Sequence, residues 1–336
     1  MTQGCGRRRL LPSFAGIALL AIAPALRAQA PLTELRVNAF AGASNLPIWV
    51  AQREGLFARR GIAVTLSSPT GSLDQFRGLI DARYPIVVTA FDNVVAYRSG
   101  QGPAEVGAIG DLVAVMGIDS GLLTLVAAPG IAGIADLKGR TLAVDAPSSG
   151  FSFALREILQ KSGLDATALT FIAVGNSDGR WQAIMEGRAS AALLSLPADF
   201  KALRQGGRAL TTVADSLGHY LGNVVAVRQG WSASHGREMQ GFRQAMLEAM
   251  AWLSAPEHKA RAIEILREQL PTLNGEGLGR IYGTLLDPRQ GLIRDGALDP
   301  QAAQTVLSLR AKYSSSSKGL QAPATYFETR QDHSAQ

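Results

Sequence analysis

Four polar segments each stand between an apolar, strand-like run and the start of a helical pattern. They contain Ser44 and Asn45; Phe91, Asp92 and Asn93; Ser148, Ser149, Gly150 and Phe151; and Ser177 and Asp178. In open α/β sheets, ligands bind beyond the carboxyl ends of strands, where helix N-termini offer free N–H groups and a partial positive charge. These residues therefore predict a binding site for a small molecule.

Serine, asparagine and aspartate also cap helices in proteins that bind nothing there, so the set of four segments is better evidence than any member. Three aromatic residues lie in or beside the segments: Phe91, Phe151 and Trp181. We expect them to stack on a planar ligand, with core packing as the alternative. Arg180 suits an anion, whereas Asp92, Asp178 and Asp199 suit an amine, so both signs of ligand charge stay open.

The sequence supports an enzyme poorly. The histidines are scattered, at His219, His235, His258 and His333, and no HExxH or G-x-S-x-G motif accompanies them. No Walker A or G-x-G-x-x-G motif follows a strand. The only cysteine is Cys5, so the chain after residue 30 has no thiol nucleophile and no thiolate metal site. We predict no catalytic residue, no metal ion and no cofactor.

The elements that must position the four segments alternate between strands and helices from Leu35 onward. This alternation predicts an α/β fold with mostly parallel sheets covered on both faces. Polar residues at Asp119–Gly121 predict a crossing to a second lobe, and the alternating run Val224–Val227 predicts the return to the first. From Arg237 to Tyr313 the apolar spacing is near 3.6 residues, which indicates helices.

Residues 1–30 have the composition of a cleaved signal peptide. Arg7, Arg8 and Arg9 precede an apolar segment, and small residues end at Ala30. Both an ordinary and a twin-arginine export signal fit this pattern. Removing these residues and their four arginines lowers the formal net charge from +6 to +2. Since no basic run interleaved with aromatic residues remains, we expect no binding to nucleic acid.

Two stretches carry a resemblance to a known family. The first reads Asn45-Leu46-Pro47, Gly55-Leu56-Phe57 and Val64-Thr65-Leu66, and the second reads IADLKGRTLAV over residues 134–144. In these stretches the chain resembles the substrate-binding proteins of ABC importers, in the branch that groups sulfonate, nitrate and thiamine-precursor binders. The chain departs from that family at residues 189–194, which lack an acidic residue, and at Ser195-Leu196-Pro197, which replaces an aromatic residue and W-x-P.

The resemblance implies a two-lobed periplasmic-binding-protein fold of type II. Each lobe would be a mostly parallel sheet flanked by helices, with the ligand cleft between the lobes. The expected division is a signal peptide at 1–30, a first lobe at 31–120 plus 230–313, a second lobe at 121–229 and a disordered tail at 314–336. The tail is expected to be disordered because it is rich in serine and has no apolar periodicity.

The function implied by the resemblance is solute binding in the periplasm. The protein would act as a monomer that captures a sulfonate, nitrate, pyrimidine or aromatic acid and delivers it to an ABC permease in the inner membrane. Two alternatives fit the same residues. One is a secreted two-lobed enzyme that acts on a small molecule, and the other is a ligand-binding partner of a sensor kinase.

Overall fold

The computed structural model describes residues 1–4, 31–316 and 318–329. The predicted signal peptide therefore lies almost entirely outside the described residues. The chain divides after Pro31, and both sheets belong to the unit Leu32–Gln336. In the described part of the chain, no helix is both long enough and apolar enough to cross a membrane.

Apolar runs rich in valine, isoleucine and leucine form the strands. The described residues contain β1 Thr33–Ala39, β2 Ile62–Ser67, β3 Ile86–Ala90, β4 Leu112–Gly117, β5 Leu123–Ala127, β6 Thr141–Val144, β7 Thr170–Ala173, β8 Ala191–Ser195, β9 Arg208–Thr212 and β10 Asn223–Arg228. Strands β3 and β10 are buried almost throughout instead of alternating between faces. Such continuous burial is typical of central strands in a sheet that is covered on both sides.

The strands form two mixed sheets of five strands each. The first has the order β2-β1-β3-β10-β4 and the second has the order β7-β6-β8-β5-β9. In the first sheet only β10 runs antiparallel to its neighbours, and in the second only β5 does. The prediction of mostly parallel sheets is confirmed, and each sheet takes its antiparallel strand from a chain segment that has just left the other sheet.

Helices pack on the faces of both sheets. The described α-helices are α1 Leu46–Arg53, α2 Leu56–Arg59, α3 Ser72–Ile80, α4 Phe91–Arg98, α5 Gly150–Lys161, α6 Ser177–Met185, α7 Ala198–Arg204, α8 Val213–Leu217, α9 Gln229–Ser234, α10 Gly236–Ser254, α11 Lys259–Gln269, α12 Gly275–Leu285 and α13 Pro300–Tyr313. We call the first sheet with its helices the first lobe, and the second sheet with α5–α8 the second lobe. The helices predicted between Arg237 and Tyr313 are confirmed as α10–α13.

Two segments connect the lobes, one between β4 and β5 and the other between β9 and β10. The first contains Asp119, where the sequence predicted a crossing. The Oδ1 atom of Asp119 accepts from the backbone N–H groups of Gly121, at 3.0 Å, and Asn223, at 3.2 Å. Its Oδ2 atom accepts from the side chain of Asn223 at 2.7 Å. One buried carboxylate thus ties the two connections together, and burial raises its pKa.

The boundaries between the lobes differ from the predicted ranges in one strand and one helix. Strand β10 falls within the range 121–229 expected for the second lobe, but it pairs with β3 and β4 of the first sheet. Helix α13 was expected to belong to the first lobe alone, yet it packs against both α4 and α5. The physical reason is that Arg310 of α13 pairs with Asp92 of α4, while Lys312 pairs with Glu157 of α5 and Tyr313 stacks on Phe153 of α5.

The C-terminal segment also differs from its prediction. We expected disorder from Ser314, whereas described residues 323–326 form a 3-10 helix and Tyr326 is fully buried. The Tyr326 ring packs edge-on against Phe91, and Phe327 forms a bridge with Ala114 at the edge of the first sheet. Tyr326 and Phe327 hold this segment against the first lobe. Two isolated aromatic contacts leave no periodic apolar pattern in the sequence, so periodicity does not detect them.

Candidate ligand-binding site

Each of the four predicted segments lies beyond the carboxyl end of a strand. Ser44 follows β1, Phe91 follows β3, Ser148 follows β6 and Ser177 follows β7. Two of the segments belong to each lobe. Because these strands are parallel within their sheet, the two segments of a lobe emerge at the same edge.

The first contact between the lobes joins the starts of α4 and α5. A Cβ atom added to Gly150 would lie 2.4 Å from the Cβ atom of Asp92, so only glycine fits at this approach. The guanidinium of Arg310, on α13, bridges the same two segments. It donates to both carboxylate oxygens of Asp92, at 2.7 and 2.6 Å, and to the carbonyl of Ser148 at 3.3 Å.

The second contact between the lobes joins the loops after β1 and β8. The backbone N–H of Ala43 donates to the carbonyl of Leu196 at 3.2 Å. Next to Leu196, the backbone N–H of Ser195 donates to the hydroxyl of Ser177 at 3.1 Å, and the two serine hydroxyls lie 3.0 Å apart. The segment after β1 is therefore linked to the segment that begins α6.

One charged side chain lies at the start of each of the helices α5 and α6 in the second lobe. Ser149 caps α5 by accepting from the N–H of Ser152 at 3.1 Å, and its hydroxyl donates to Oδ1 of Asp145 at 2.5 Å. Arg180 donates to the hydroxyl of Ser177 at 2.8 Å and to the carbonyl of Leu193 at 3.0 Å. Contacts through Asp92 thus link the second and third segments, contacts through Leu196 and Ser195 link the first and fourth, and the charges of Asp145 and Arg180 interact between the third and fourth.

Burial shifts the pKa values of Asp145 and Arg180 in the second lobe. It raises the pKa of Asp145, although the positive charge of Arg180 opposes that shift. It lowers the pKa of Arg180, while the charge of Asp145 acts in the opposite direction. Arg180 had been predicted as a residue for an anionic ligand or as an exposed arginine at a helix start. It is instead only 3% exposed and donates mainly to groups of its own lobe.

Two predicted stacking residues belong to the hydrophobic core. Phe91 is fully buried and packs against Tyr326 and Phe327. Trp181 is 7% exposed, lies in the core of the second lobe, and donates from its indole N–H to Gln205. Both rings lie in hydrophobic core clusters, which favours the alternative of core packing, and stacking on a solute stays a prediction. Phe151 is half-buried.

The polar groups predicted in the first lobe are held by other parts of that lobe. Asp92 is 2% exposed and paired with Arg310. Asn93 donates to the hydroxyl of Thr89 at 2.9 Å. Asn45 makes no capping bond and instead donates to the carbonyl of Phe40 at 2.8 Å. Ser44 lies in a 3-10 helix, Ala43–Asn45, and stays half-buried.

The second lobe has more accessible polar groups. Ser148 is exposed, while Ser149 and Ser177 are half-buried. Asp178 is exposed and lies 3.5 Å from the ammonium of Lys201. Asn176, just before Ser177, caps α6 by accepting from the N–H of Gly179 at 2.8 Å.

Sequence reasoning missed Asp145 and Ser195 as members of this site. Each stands at the very end of an apolar strand run, Asp145 directly after β6 and Ser195 as the last residue of β8. A polar residue at the carboxyl end of a strand is a detectable pattern in the sequence. The candidate residues predicted from the sequence lie at helix starts, and neither Asp145 nor Ser195 does.

One surface cavity adjoins the first of the four segments. It has a volume of ≈ 590 Å³, and Gly42, Asn45, Ser67 and Leu270 are among its lining residues. A second cavity, of ≈ 620 Å³, is lined by Glu34, Arg228 and Trp231 among others and shares no residue with the four segments. Of these two cavities, the first touches one segment and the second touches none, so we assign the site from the contacts among the segments.

In the described part of the chain, no group of three or more His, Cys, Asp or Glu side chains is placed to hold a metal ion. The four segments offer hydroxyls, backbone N–H groups and a carboxylate. These groups bind a small polar molecule by hydrogen bonds.

Comparison with known proteins gives a family and a fold. A family model described as NMT1/THI5-like matches residues 43–260. No curated protein sequence matches the chain at a significant level. The ligand-binding component of an ABC-type import system from Staphylococcus aureus, solved with zinc bound, superposes with a TM-score of 0.73 at 12% identity, covering 88% of this chain and 96% of that chain.

Two further solved structures have the same architecture. The alkanesulfonate-binding protein SsuA from Xanthomonas axonopodis pv. citri, bound to MOPS, has a TM-score of 0.69 at 18% identity and covers 88% of this chain and 98% of its own. The nitrate-binding protein NrtA from Synechocystis PCC 6803 has a TM-score of 0.73 at 13% identity, with 88% and 85% covered. At these identities the likeness confirms the predicted periplasmic-binding-protein fold.

Proposed function

Because the chain belongs to the NMT1/THI5-like family, we propose that it is the solute-binding component of an ABC importer. It binds one small organic molecule between its lobes and delivers it to a permease. Its function is binding without chemical conversion of the solute.

The convergence of the four segments is the observation that carries this proposal. Two segments come from each lobe, and short contacts link them through Asp92, Gly150, Ala43 and Leu196. The lobes are connected by two segments that share Asp119, an arrangement that allows one lobe to rotate against the other. A solute placed among the segments contacts both lobes and stabilises their closed arrangement.

The residues that we assign to the solute are chosen from the accessible members of the predicted set. They are Ser44 in the first lobe and Ser148, Ser149, Phe151 and Ser177 in the second, together with Asp145 and Ser195. The Phe151 ring supplies an apolar surface, and the serine hydroxyls fix the orientation of the solute by hydrogen bonds. A few such hydrogen bonds with one apolar contact suffice for a micromolar Kd, which corresponds to about −8 kcal/mol.

The place of action follows from the sequence of the first thirty residues and from the neighbours named above. We propose that residues 1–30 direct export and are removed, that the protein works in the periplasm as a monomer, and that an inner-membrane permease is its partner. The domain ranges follow the sheets, with β10 assigned to the first lobe.

A thermal-shift screen of the chain from residue 31 tests the proposal. The solutes are sulfonates, nitrate, pyrimidines, aromatic acids and polyamines. A solute at about 100 times its Kd adds about 2.7 kcal/mol to the free energy of unfolding, which raises Tm measurably. Mass spectrometry of the recovered solute then distinguishes binding from turnover.

We expect at least one solute to raise Tm and to be recovered unchanged. Recovery of a converted product would assign the protein to the enzymes instead. A screen in which no solute raises Tm would contradict the assignment of the site to small organic molecules.

A further inference from the structure

The cavity that adjoins the first predicted segment lies along the free edge of strand β2. This strand ends the order β2-β1-β3-β10-β4, so it has β1 as its one neighbour in the described sheet. Five consecutive residues, 64–68, line the cavity, whereas a cavity over one face of a strand would be lined by alternate residues. Its volume of ≈ 590 Å³ is typical of small-molecule sites.

The main-chain groups of Leu66 point towards this free edge. In a parallel pair, alternate residues of a strand bond to the neighbouring strand. The carbonyl of Gly61 accepts from the N–H of Thr33 at 2.9 Å, so the odd-numbered residues of β2 bond to β1. The N–H and C=O groups of Leu66 therefore point away from β1, and neither has a hydrogen-bond partner within the described residues.

Val64, the other outward-pointing residue beside the cavity, is partly covered. Its carbonyl accepts from the side-chain amide of Gln52 at 2.9 Å, which agrees with the outward direction of the even-numbered residues. Because Gln52 of α1 occupies this position, the free edge is short. The donor and the acceptor that remain at Leu66 match a small molecule better than an added strand of a partner protein.

The side chains that line the cavity are all uncharged. The polar ones are carboxamides and hydroxyls, and they belong to Asn45, Gln52, Thr65, Ser67, Ser68 and Gln269. The cavity of ≈ 620 Å³, by contrast, has charged lining residues, which are Glu34, Arg36, Asp111, Arg228 and Glu238. A charged solute beside β2 would lose hydration without meeting a counter-charge, so the lining favours a neutral solute.

Two of the polar side chains are held differently. The hydroxyl of Ser67 accepts from Nδ2 of Asn38 at 3.0 Å, and Oδ1 of Asn38 accepts from the buried side chain of Gln75 at 3.2 Å. This buried pair fixes the Ser67 hydroxyl at the carboxyl end of β2. Gln269 is exposed at the end of α11 and has no hydrogen bond to the described part of the chain, so its carboxamide is available as donor and acceptor.

We propose that the cavity beside β2 binds a small uncharged solute that contains an amide group. The N–H of Leu66 donates to an amide carbonyl of the solute, and the carbonyl of Leu66 accepts from an amide N–H. Gln269 binds a further polar group of the same solute. The site belongs to the first lobe alone and does not depend on the proposed function, although Asn45 lines it as well.

Three matched probes test the solute class on the isotope-labelled chain from residue 31, with the backbone amide signals followed by NMR. N-acetylglycinamide offers both an amide N–H and an amide carbonyl to Leu66. N-acetylglycine has a carboxylate in place of the terminal carboxamide, and N-acetylsarcosinamide has a methyl group in place of the central N–H. We expect N-acetylglycinamide to shift the Leu66 signal saturably, and the other two probes to bind about tenfold more weakly.

The pattern of shifts decides between this site and the cleft between the lobes. Equal affinity of all three probes at Leu66 would overturn the recognition of an uncharged amide. An unshifted Leu66 signal would overturn the site itself. Shifts confined to the second-lobe segments with Ser149 and Ser177 would also overturn it, while leaving the proposed function in place, because the probe would then bind in the cleft.

Two glutamine variants locate the solute within the cavity. Gln269→Ala removes a carboxamide that has no partner within the described residues, so we expect an unchanged Tm and about fivefold weaker affinity for N-acetylglycinamide. Gln240→Ala is the matched control, since Gln240 is exposed on α10 and does not line the cavity, and it should change neither quantity. Equal affinity of Gln269→Ala and the unmodified chain would overturn the role of Gln269.

Discussion

The carboxylates of the two lobes have different hydrogen-bond partners near the contact between the lobes. Asp92, in the first lobe, is 2% exposed and pairs with both ends of the Arg310 guanidinium. Asp145 and Asp199, in the second lobe, have neutral partners, the hydroxyls of Ser149 and Thr124. Burial raises the pKa of both second-lobe carboxyls.

The difference distinguishes a carboxylate that holds parts of the protein together from a carboxylate that remains able to bind a solute. A buried pair such as Asp92 and Arg310 already has its counter-charge, so it holds segments of both lobes together but offers little to a solute. The carboxylate of Asp145 accepts a hydrogen bond from the neutral hydroxyl of Ser149 and feels the charge of Arg180 without a direct ion pair, so it can still accept from an N–H group of a solute. We therefore expect the first lobe to position the site and the second lobe to select the solute.

The largest expected effect comes from breaking the first-lobe pair. Arg310→Ala leaves the Asp92 carboxylate buried and unpaired, which should reduce the free energy of unfolding by about 3–5 kcal/mol. Lys312→Ala is the matched control on the same helix, since its ion pair with Glu157 is partly exposed and should contribute under about 1 kcal/mol. Denaturant unfolding of both variants measures the difference. A cost for Arg310→Ala as small as that of the control would remove the distinction between the lobes.

The next-largest expected effect is a gain in the free energy of unfolding, and its size depends on pH. Burial raises the pKa of Asp199 from 3.8 to about 6. Between these values the folded state binds more protons than the unfolded state, so the free energy of unfolding falls as the pH rises and stays lower above pH 6. Asp199→Asn removes this loss and should stabilise the protein by about 3 kcal/mol at pH 7.5, at 1.36 kcal/mol for each pKa unit.

The same variant should have little effect near pH 4, where the Asp199 carboxyl is protonated in the folded state. Asparagine can keep both contacts, because its oxygen accepts from the N–H of Phe200 and its amide can donate to Thr124. Thermal unfolding at pH 4 and pH 7.5 checks the prediction. A gain of equal size at both pH values would show that the carboxyl is not held protonated by burial.

The smallest expected effect compares two helix caps. Ser149 caps α5 at the site, and Asn274 caps α12 in the first lobe by accepting from the N–H of Gly277 at 3.0 Å. Replacing either by alanine should cost about 1 kcal/mol of stability. Only Ser149→Ala should also weaken solute binding, since it removes the donor to Asp145 as well. Calorimetric titration of both variants measures this, and equal affinities would place Ser149 outside the site.

The sequence was sufficient to predict the architecture because strand and helix periodicities are local patterns. The alternating run Val224–Val227 correctly indicated the return to the first sheet. Ser149 was correctly placed at the start of a helix, where its hydroxyl accepts from Ser152. Polar residues between an apolar run and a helical pattern are visible without any knowledge of tertiary contacts.

The sequence was insufficient where distant residues meet. Arg310 lies 218 positions after Asp92, and no local pattern indicates that it neutralises that carboxylate. Phe91 looked like an aromatic residue in a loop, yet Tyr326 and Phe327 from the C-terminal segment cover it. Long-range packing decides which member of a polar segment remains available to a solute.

The central claim is that a solute bound among the four segments brings the two lobes together. The chain from residue 31 has no cysteine, so spin labels can be placed at two exposed positions, Arg77→Cys on α3 and Met185→Cys on α6. Double electron–electron resonance then measures the distance between the labels with and without the solute that raises Tm most. The account predicts a shorter and narrower distance distribution with the solute bound. A distribution unchanged by a saturating solute would contradict it.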